Sequence, residues 1–319
     1  MNRQRLCPIV LLALLCLAAL AGCSLLGATH LNWHELWQSE IFWHLRLPRE
    51  LLSLLVGGVL AACGTAYQAV FRNPLTDPYL LGVSSGASLG AAIAILLGLE
   101  SYIYGVGLCA LASALLTVAI IYRMASTGNR LHTTTLLLTG VCLTLLISAA
   151  VSFLMVMNHD KMDRIIFWTM GSFASSNWTD IVVMTPVTLI GLSILLYHGR
   201  NLNLLLSGSD TARSMGVEVE RVQKTILAIT SVMVAFAVSV CGVIGFVGLI
   251  VPHAVRLVAG ADNRKILPLA VLSGGLFMLL CDTLARTLFQ PSELPVGSLT
   301  ALLGAPLFIT LLYRNRKQY

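Results

Sequence analysis

Hydrophobic residues in this chain come in long runs rather than in the short one-sided stripes of a water-soluble core. Runs bounded by charge or by Pro, Gly and Asn clusters fall at 7–27, 50–70, 80–98, 103–122, 134–157, 180–198, 225–241, 244–259, 266–286 and 298–313. A helix needs about 20 mainly apolar residues to cross a bilayer. The pattern therefore predicts an all-α polytopic membrane protein with about ten transmembrane helices, forming a single transmembrane domain over 1–319. The seventh and eighth runs are one apolar stretch interrupted by Gly242, Gly245, Gly248 and Pro252, which predicts a broken or kinked pair.

Composition agrees with that class. The chain of 319 residues is 57% hydrophobic and only 11% charged, with a mean hydropathy of +0.86, more apolar surface than one soluble core can hide. The first run ends in Leu20-Ala21-Gly22-Cys23, which looks like a lipoprotein processing site. A Leu/Ala/Cys-rich first span produces the same string, and further spans follow, so an uncleaved first helix is expected. The eight cysteines lie in apolar runs without CxxC spacing and read as small buried hydrophobes.

The net charge of +6 has meaning only loop by loop. With the N-terminus inside, fifteen basic residues lie on the cytoplasmic side and five outside, namely Arg46, Arg49, Lys161, Arg164 and Arg286. The positive-inside bias selects this orientation, with both termini cytoplasmic. Arg46 and Arg49 then sit in an external loop with Trp33, Trp37 and Trp43 as interface anchors. On their own they read as snorkelling cations, with Glu50 at helical spacing from Arg46. His30 and His34 share that external segment. They fit an amphipathic interfacial stretch better than a haem or metal contact.

No GxxxxGK[ST] phosphate loop, HExxH, GxSxG or clustered carboxylate pair occurs. Work done with ATP must come from another chain. Asp282 is the one acid well inside an expected span, and Arg286, four residues on, can pair with it on one helix face. A proton- or ion-coupled carrier is thus poorly supplied with parts. Nor is there a long basic stretch for nucleic acid.

Three further segments stand out. Residues 71–90, "FRNPLTDPYLLGVSSGASLG", combine a Pro74/Pro78 turn with small residues suited to close helix approach. Residues 206–223 form the longest cytoplasmic connection, expected to hold one or two short helices with Ser209 or Asp210 as N-cap, either as tether or as docking surface. His253 beside Pro252 reads as a histidine hydrogen-bonded within the bundle.

In order along the chain, "RLPR", "RNPLTDPYLLGVSSGA", "WTMGSF", "GFVGLIVPHAVRL", "DNRKILP", "DTLAR" and "ELPVGSLTALLGAPLF" resemble the FecCD-type permease subunits of bacterial ABC importers for iron chelates, haem and cobalamin. The resemblance runs from about residue 40 onward. It implies an inverted-repeat (type II) permease of the bacterial inner membrane that pairs with a second permease subunit, a homodimer being favoured. It also implies two cytoplasmic ATPase subunits that bind ATP and Mg, and an extracytoplasmic binding protein. By the same resemblance, Arg46, Arg49 and Arg286 receive acidic side chains of that binding protein. Residues 206–223 become the coupling segment, from which Asp210, Ala212, Met215 and Gly216 contact the ATPase. Asn73, Leu75, Thr133 and Thr134 form the cytoplasmic gate. No metal or cofactor site is implied on this chain. The expected cargo is an iron chelate, siderophore or haem, with cobalamin as the alternative.

Overall fold

A computed structural model describes residues 3–27, 37–102, 104–127, 130–290 and 292–314. His30, His34 and Trp33 lie outside them. The first helix, α1 (Arg3–Leu25), is followed by a π-helical turn, Phe42–Arg46, that runs directly into α2 (Leu47–Val70). A 3-10 turn, Pro78–Leu81, leads to α3 (Val83–Leu96). Then come α4 (Gly105–Ala125), a two-residue antiparallel pair of Ser126–Thr127 with Arg130–Leu131, α5 (Thr133–Met157), α6 (His159–Thr169) and α7 (Trp178–Tyr197). The remaining helices are α8 (Gly199–Leu206), α9 (Ser209–Ser214), α10 (Val219–Cys241), α11 (Val247–Ala259), α12 (Asn263–Thr287) and α13 (Val296–Arg314).

Among the described residues, seven helices are long and apolar enough to cross a membrane, and three shorter apolar helices, Val83–Leu96, Val247–Ala259 and Val296–Thr310, occupy the other expected positions. The fold is all-helical and multi-pass. The break between the seventh and eighth runs is sharp: Gly242 at φ +74 and Phe246 at φ +71 separate α10 from α11.

The centre of the bundle is α2. Its partners reach it because glycines replace side chains at the crossings, as is common where packing rather than hydrophobicity joins helices. A Cβ on Gly57 would run into the carbonyl oxygen of Gly274 on α12, and one on Gly64 into the carbonyl oxygen of Gly248 on α11. The expected close approach of α3 follows the same rule, since Gly86 and Gly90 lie against Thr117, Ser113 and Cys109 of α4. By contrast α1, α5 and α7 turn most of their side chains outward, including Leu138, Leu145, Phe153 and Val182.

Several local expectations are corrected. Residues 40–49 are helical rather than a loop, because the π turn carries the helix past the charged positions without a break. The seventh span begins at Val219, and the residue at the N-cap of α9 is Gly208, not Ser209 or Asp210. The segment with Lys161 and Arg164, expected as an external loop, is itself a helix, α6, tied down by Lys161 Nζ donating to the carbonyls of Ile95 and Leu96 at 3.1 and 3.0 Å. A cation at a helix C-terminus meets the negative end of its dipole there. Cys142 is exposed rather than buried. His253 is buried, edge-on to Phe308, with Nε2 lacking a partner among the described residues.

Candidate functional site

At one end of the bundle two charged pairs face each other across the glycine-mediated contact of α2 with α12. Arg49 presents one edge of its guanidinium to Asp282, with Nε 2.9 Å from Oδ2 and Nη2 2.9 Å from Oδ1. Its remaining nitrogen, Nη1, donates to Glu293 Oε2 at 2.9 Å. Next to it Arg286 Nη2 donates to Glu50 Oε1 at 2.6 Å and to the carbonyl of Cys23 at 2.9 Å. Ser24 Oγ donates to the other Glu50 oxygen at 2.6 Å. Arg46 Nη1 donates to the Ser24 carbonyl at 2.7 Å, beneath Gly27, where a Cβ would lie 2.6 Å from Arg46 Nη2.

The geometry changes the picture of Arg46, Arg49 and Arg286. Expected as exposed cations, they are only 6%, 9% and 6% exposed, while Glu50 and Asp282 are wholly buried. The expected pairing of Asp282 with Arg286 along one helix gives way to pairing across two. The close α2–α12 approach is the reason: it sets the acid of each helix against the arginine of the other, an arrangement that lowers the cost of burying charge. Glu293 was missed as a site residue. Its signal was an acid in the short turn "PSELPVG", seven residues after Arg286.

Beside this cluster Trp37, Phe42 and Trp43 pack with ring centroids 5.7 and 5.1 Å apart for the two pairs with Phe42. The Trp178 indole donates to the Trp43 carbonyl at 2.9 Å. The aromatic anchors expected at Trp37 and Trp43 therefore also join α7 to the start of α2.

The opposite end holds the other candidates. Asn73 Oδ1 accepts from the Leu75 N–H at 2.9 Å, an Asx turn that fixes the loop after α2. Leu75 is exposed, and Thr133 and Thr134 open the first turn of α5. The loop reaches α5 further along, where the Leu80 carbonyl abuts Gly140.

In the coupling segment the four candidate residues separate by environment. Ala212 is wholly buried, whereas the Asp210 side chain is 99% exposed and Met215 is 58% exposed. Gly216 takes φ +82 and closes the turn through Val217 N–H donating to the Ala212 carbonyl at 3.0 Å. Arg213 braces α9 by donating to Asp210 and Glu220 at 3.1 and 2.5 Å. A Cβ on Gly208 would stand 3.8 Å from Arg72 Nη1, so the segment abuts the start of the Asn73 loop.

One link here was not anticipated. Asn203 of α8 donates to Asp262 Oδ1 at 2.7 Å and accepts from the Asn263 N–H at 2.7 Å, while Asp262 caps α12 through the Arg264 N–H. Burial acts to raise the Asp262 carboxyl, but the hydrogen bonds from Arg264 and Asn203 outweigh it and hold it down at about 2. The helix capped this way is the one that carries Asp282 and Arg286 toward its far end, about 30 and about 36 Å from Asp262 at 1.5 Å per residue. Among the described residues no group of three His, Cys, Asp or Glu could hold a metal ion.

A profile of the FecCD transport family matches residues 10–314. The chain is 45% identical over 273 residues to the cobalamin import system permease protein BtuC of Halobacterium salinarum, covering 86% of this chain and 73% of that one. It is 40% identical over 324 residues to the hemin transport system permease protein HmuU of Yersinia pestis, covering 97% and 95%. A solved structure described as an inward-facing conformation of a metal-chelate type ABC transporter superposes with a TM-score of 0.89 at 35% identity, over 96% of this chain and 98% of that one. With a matching profile, helix order and fold over nearly its whole length, the chain belongs to the FecCD transport family, as a membrane permease of an ABC importer whose ATPase is a separate subunit.

Proposed function

We propose that this permease moves an iron chelate, haem or a siderophore, from an extracytoplasmic binding protein across the bacterial inner membrane by alternating access. The likeness to the hemin permease of Yersinia pestis carries the choice of cargo, because it spans both chains almost from end to end. Cobalamin is the second reading, favoured by the higher identity to the Halobacterium permease.

In this reading both termini are cytoplasmic, the Arg46, Arg49 and Arg286 end faces the binding protein, and Asp210, Ala212, Met215 and Gly216 meet the ATPase that holds ATP and Mg. The permease pairs with a second copy of itself. Asn73, Leu75, Thr133 and Thr134 close the path on the cytoplasmic side. Higher up, Ser84, Ser85, Ser88, Thr144, Ser148 and Ser152 line an open groove of about 300 Å³ between α3 and α5. Ser88 and Ser152 satisfy their own donors on the preceding helical turn, leaving lone pairs toward the groove. Such a wall suits a large cargo carried past without a tight site.

The test is uptake into vesicles holding the permease, its ATPase and hemin-loaded binding protein. ATP-dependent hemin accumulation supports the first reading. Accumulation of cyanocobalamin with exclusion of hemin supports the second.

A further inference from the structure

We propose that Glu293 is a built-in stand-in for the acidic side chain of the binding protein: in the free permease it occupies the outer edge of Arg49, and the docking partner displaces it. The inference rests on the docking role proposed above for the three arginines.

Among the described residues, three guanidinium groups, of Arg46, Arg49 and Arg286, share the cluster with three carboxylates, of Glu50, Asp282 and Glu293, and the formal charge of these six groups is zero. A neutral cluster gives an acidic partner little long-range attraction. The three carboxylates are not equivalent. Asp282 and Glu50 are wholly buried, each held by more than one donor, and removing either leaves buried guanidinium N–H groups without their acceptor. Glu293 lies on the turn between α12 and α13 with a side chain 43% exposed, and it meets Arg49 at the nitrogen Asp282 leaves free.

An incoming carboxylate can therefore replace Glu293 at Arg49 Nη1 with like for like, leaving no buried ion unpaired at the end of the exchange. The displaced residue is also placed to report the event. Leu294, next in the chain, donates to the Ala285 carbonyl at 3.0 Å, and α13 starts two residues later. Freeing Glu293 acts on a turn that joins the docking end to the last helix.

The experiment titrates the assembled permease–ATPase complex in nanodiscs with its binding protein, for the wild type and for Glu293→Gln, Glu293→Asp and Arg46→Gln. Glu293 is partly exposed, so Glu293→Gln keeps the fold, which its melting temperature checks. Neutralising a competing charge beside the interface is expected to tighten binding by about tenfold and to steepen its salt dependence, while Glu293→Asp stays within about twofold of the wild type. Arg46→Gln, which removes one of the three docking cations, weakens binding. If Arg46→Gln changes nothing, the docking reading fails and the stand-in with it. If Arg46→Gln weakens binding but Glu293→Gln leaves it unchanged or weaker, or if Glu293→Asp tightens it as much as Glu293→Gln, the stand-in alone is overturned.

Discussion

Arg49 on α2 and Asp282 on α12 meet through two hydrogen bonds of 2.9 Å, with Asp282 wholly buried at the crossing of the two helices. Breaking one side of such a buried pair leaves an uncompensated charge, at a cost of about 3–5 kcal/mol. Asp282→Ala is therefore expected to lower the unfolding midpoint of the detergent-purified protein sharply. Adding Arg49→Ala to Asp282→Ala removes the stranded cation and should recover part of the loss. Strict additivity of the two single losses would show that the pair contributes no coupling.

The crossing itself depends on Gly57 and Gly274, whose backbones touch where side chains would stand. Alanine at Gly57 must push α12 away, and overpacking of this kind costs about 1–3 kcal/mol. Because the displacement also separates Arg49 from Asp282, the loss for Gly57→Ala should exceed that for Gly22→Ala, where a Cβ meets nothing within 4 Å. Melting curves of the two variants side by side decide it.

Much of this architecture was legible in the chain. Ten apolar runs gave the helices, and Gly242 with its neighbours gave the break before α11, because both depend on local composition and backbone freedom. The family resemblance located the three arginines. What could not be read was their environment. Whether Asp282 pairs with Arg286 along its own helix or with Arg49 across to another depends on where Gly57 meets Gly274, a contact set by three-dimensional packing. Likewise α6 was hidden because the contact that anchors it, Lys161 on the end of α3, lies about 65 residues away in the chain. The Asn203 link escaped notice for the same reason.

That link yields a pH prediction with a definite sign. The folded Asp262 carboxyl is held at about 2, below its ordinary value of 3.8. Its contribution to stability is thus fully present above about pH 4 and is lost as the pH falls toward 2. Asp262→Asn keeps a cap acceptor but loses the charge, and should flatten the acid limb of a melting-temperature profile relative to the wild type. Asp262→Ala loses the cap as well, a further cost of about 1 kcal/mol. A wild-type and Asp262→Asn profile of equal slope between pH 4 and pH 2 would contradict the assignment.

The coupling segment offers a test that separates conformation from contact. Gly216 sits at φ +82 with open space where a Cβ would be, so a substitution there is opposed by the backbone and not by neighbours. Asparagine tolerates this region better than a β-branched residue does. If α9 transmits motion between the ATPase and the Asn73 loop, its turn must hold its shape while Met215 and Asp210 stay exposed. Gly216→Val is then expected to lower binding-protein-stimulated ATP hydrolysis by about tenfold or more, and Gly216→Asn by much less, a difference of about 1.4 kcal/mol. Both variants keep the contacting side chains, so equal loss of stimulation in the two would mean that the glycine serves close approach of the ATPase rather than the turn. Measuring ATPase assembly by size exclusion alongside the rates distinguishes a failure to bind from a failure to transmit.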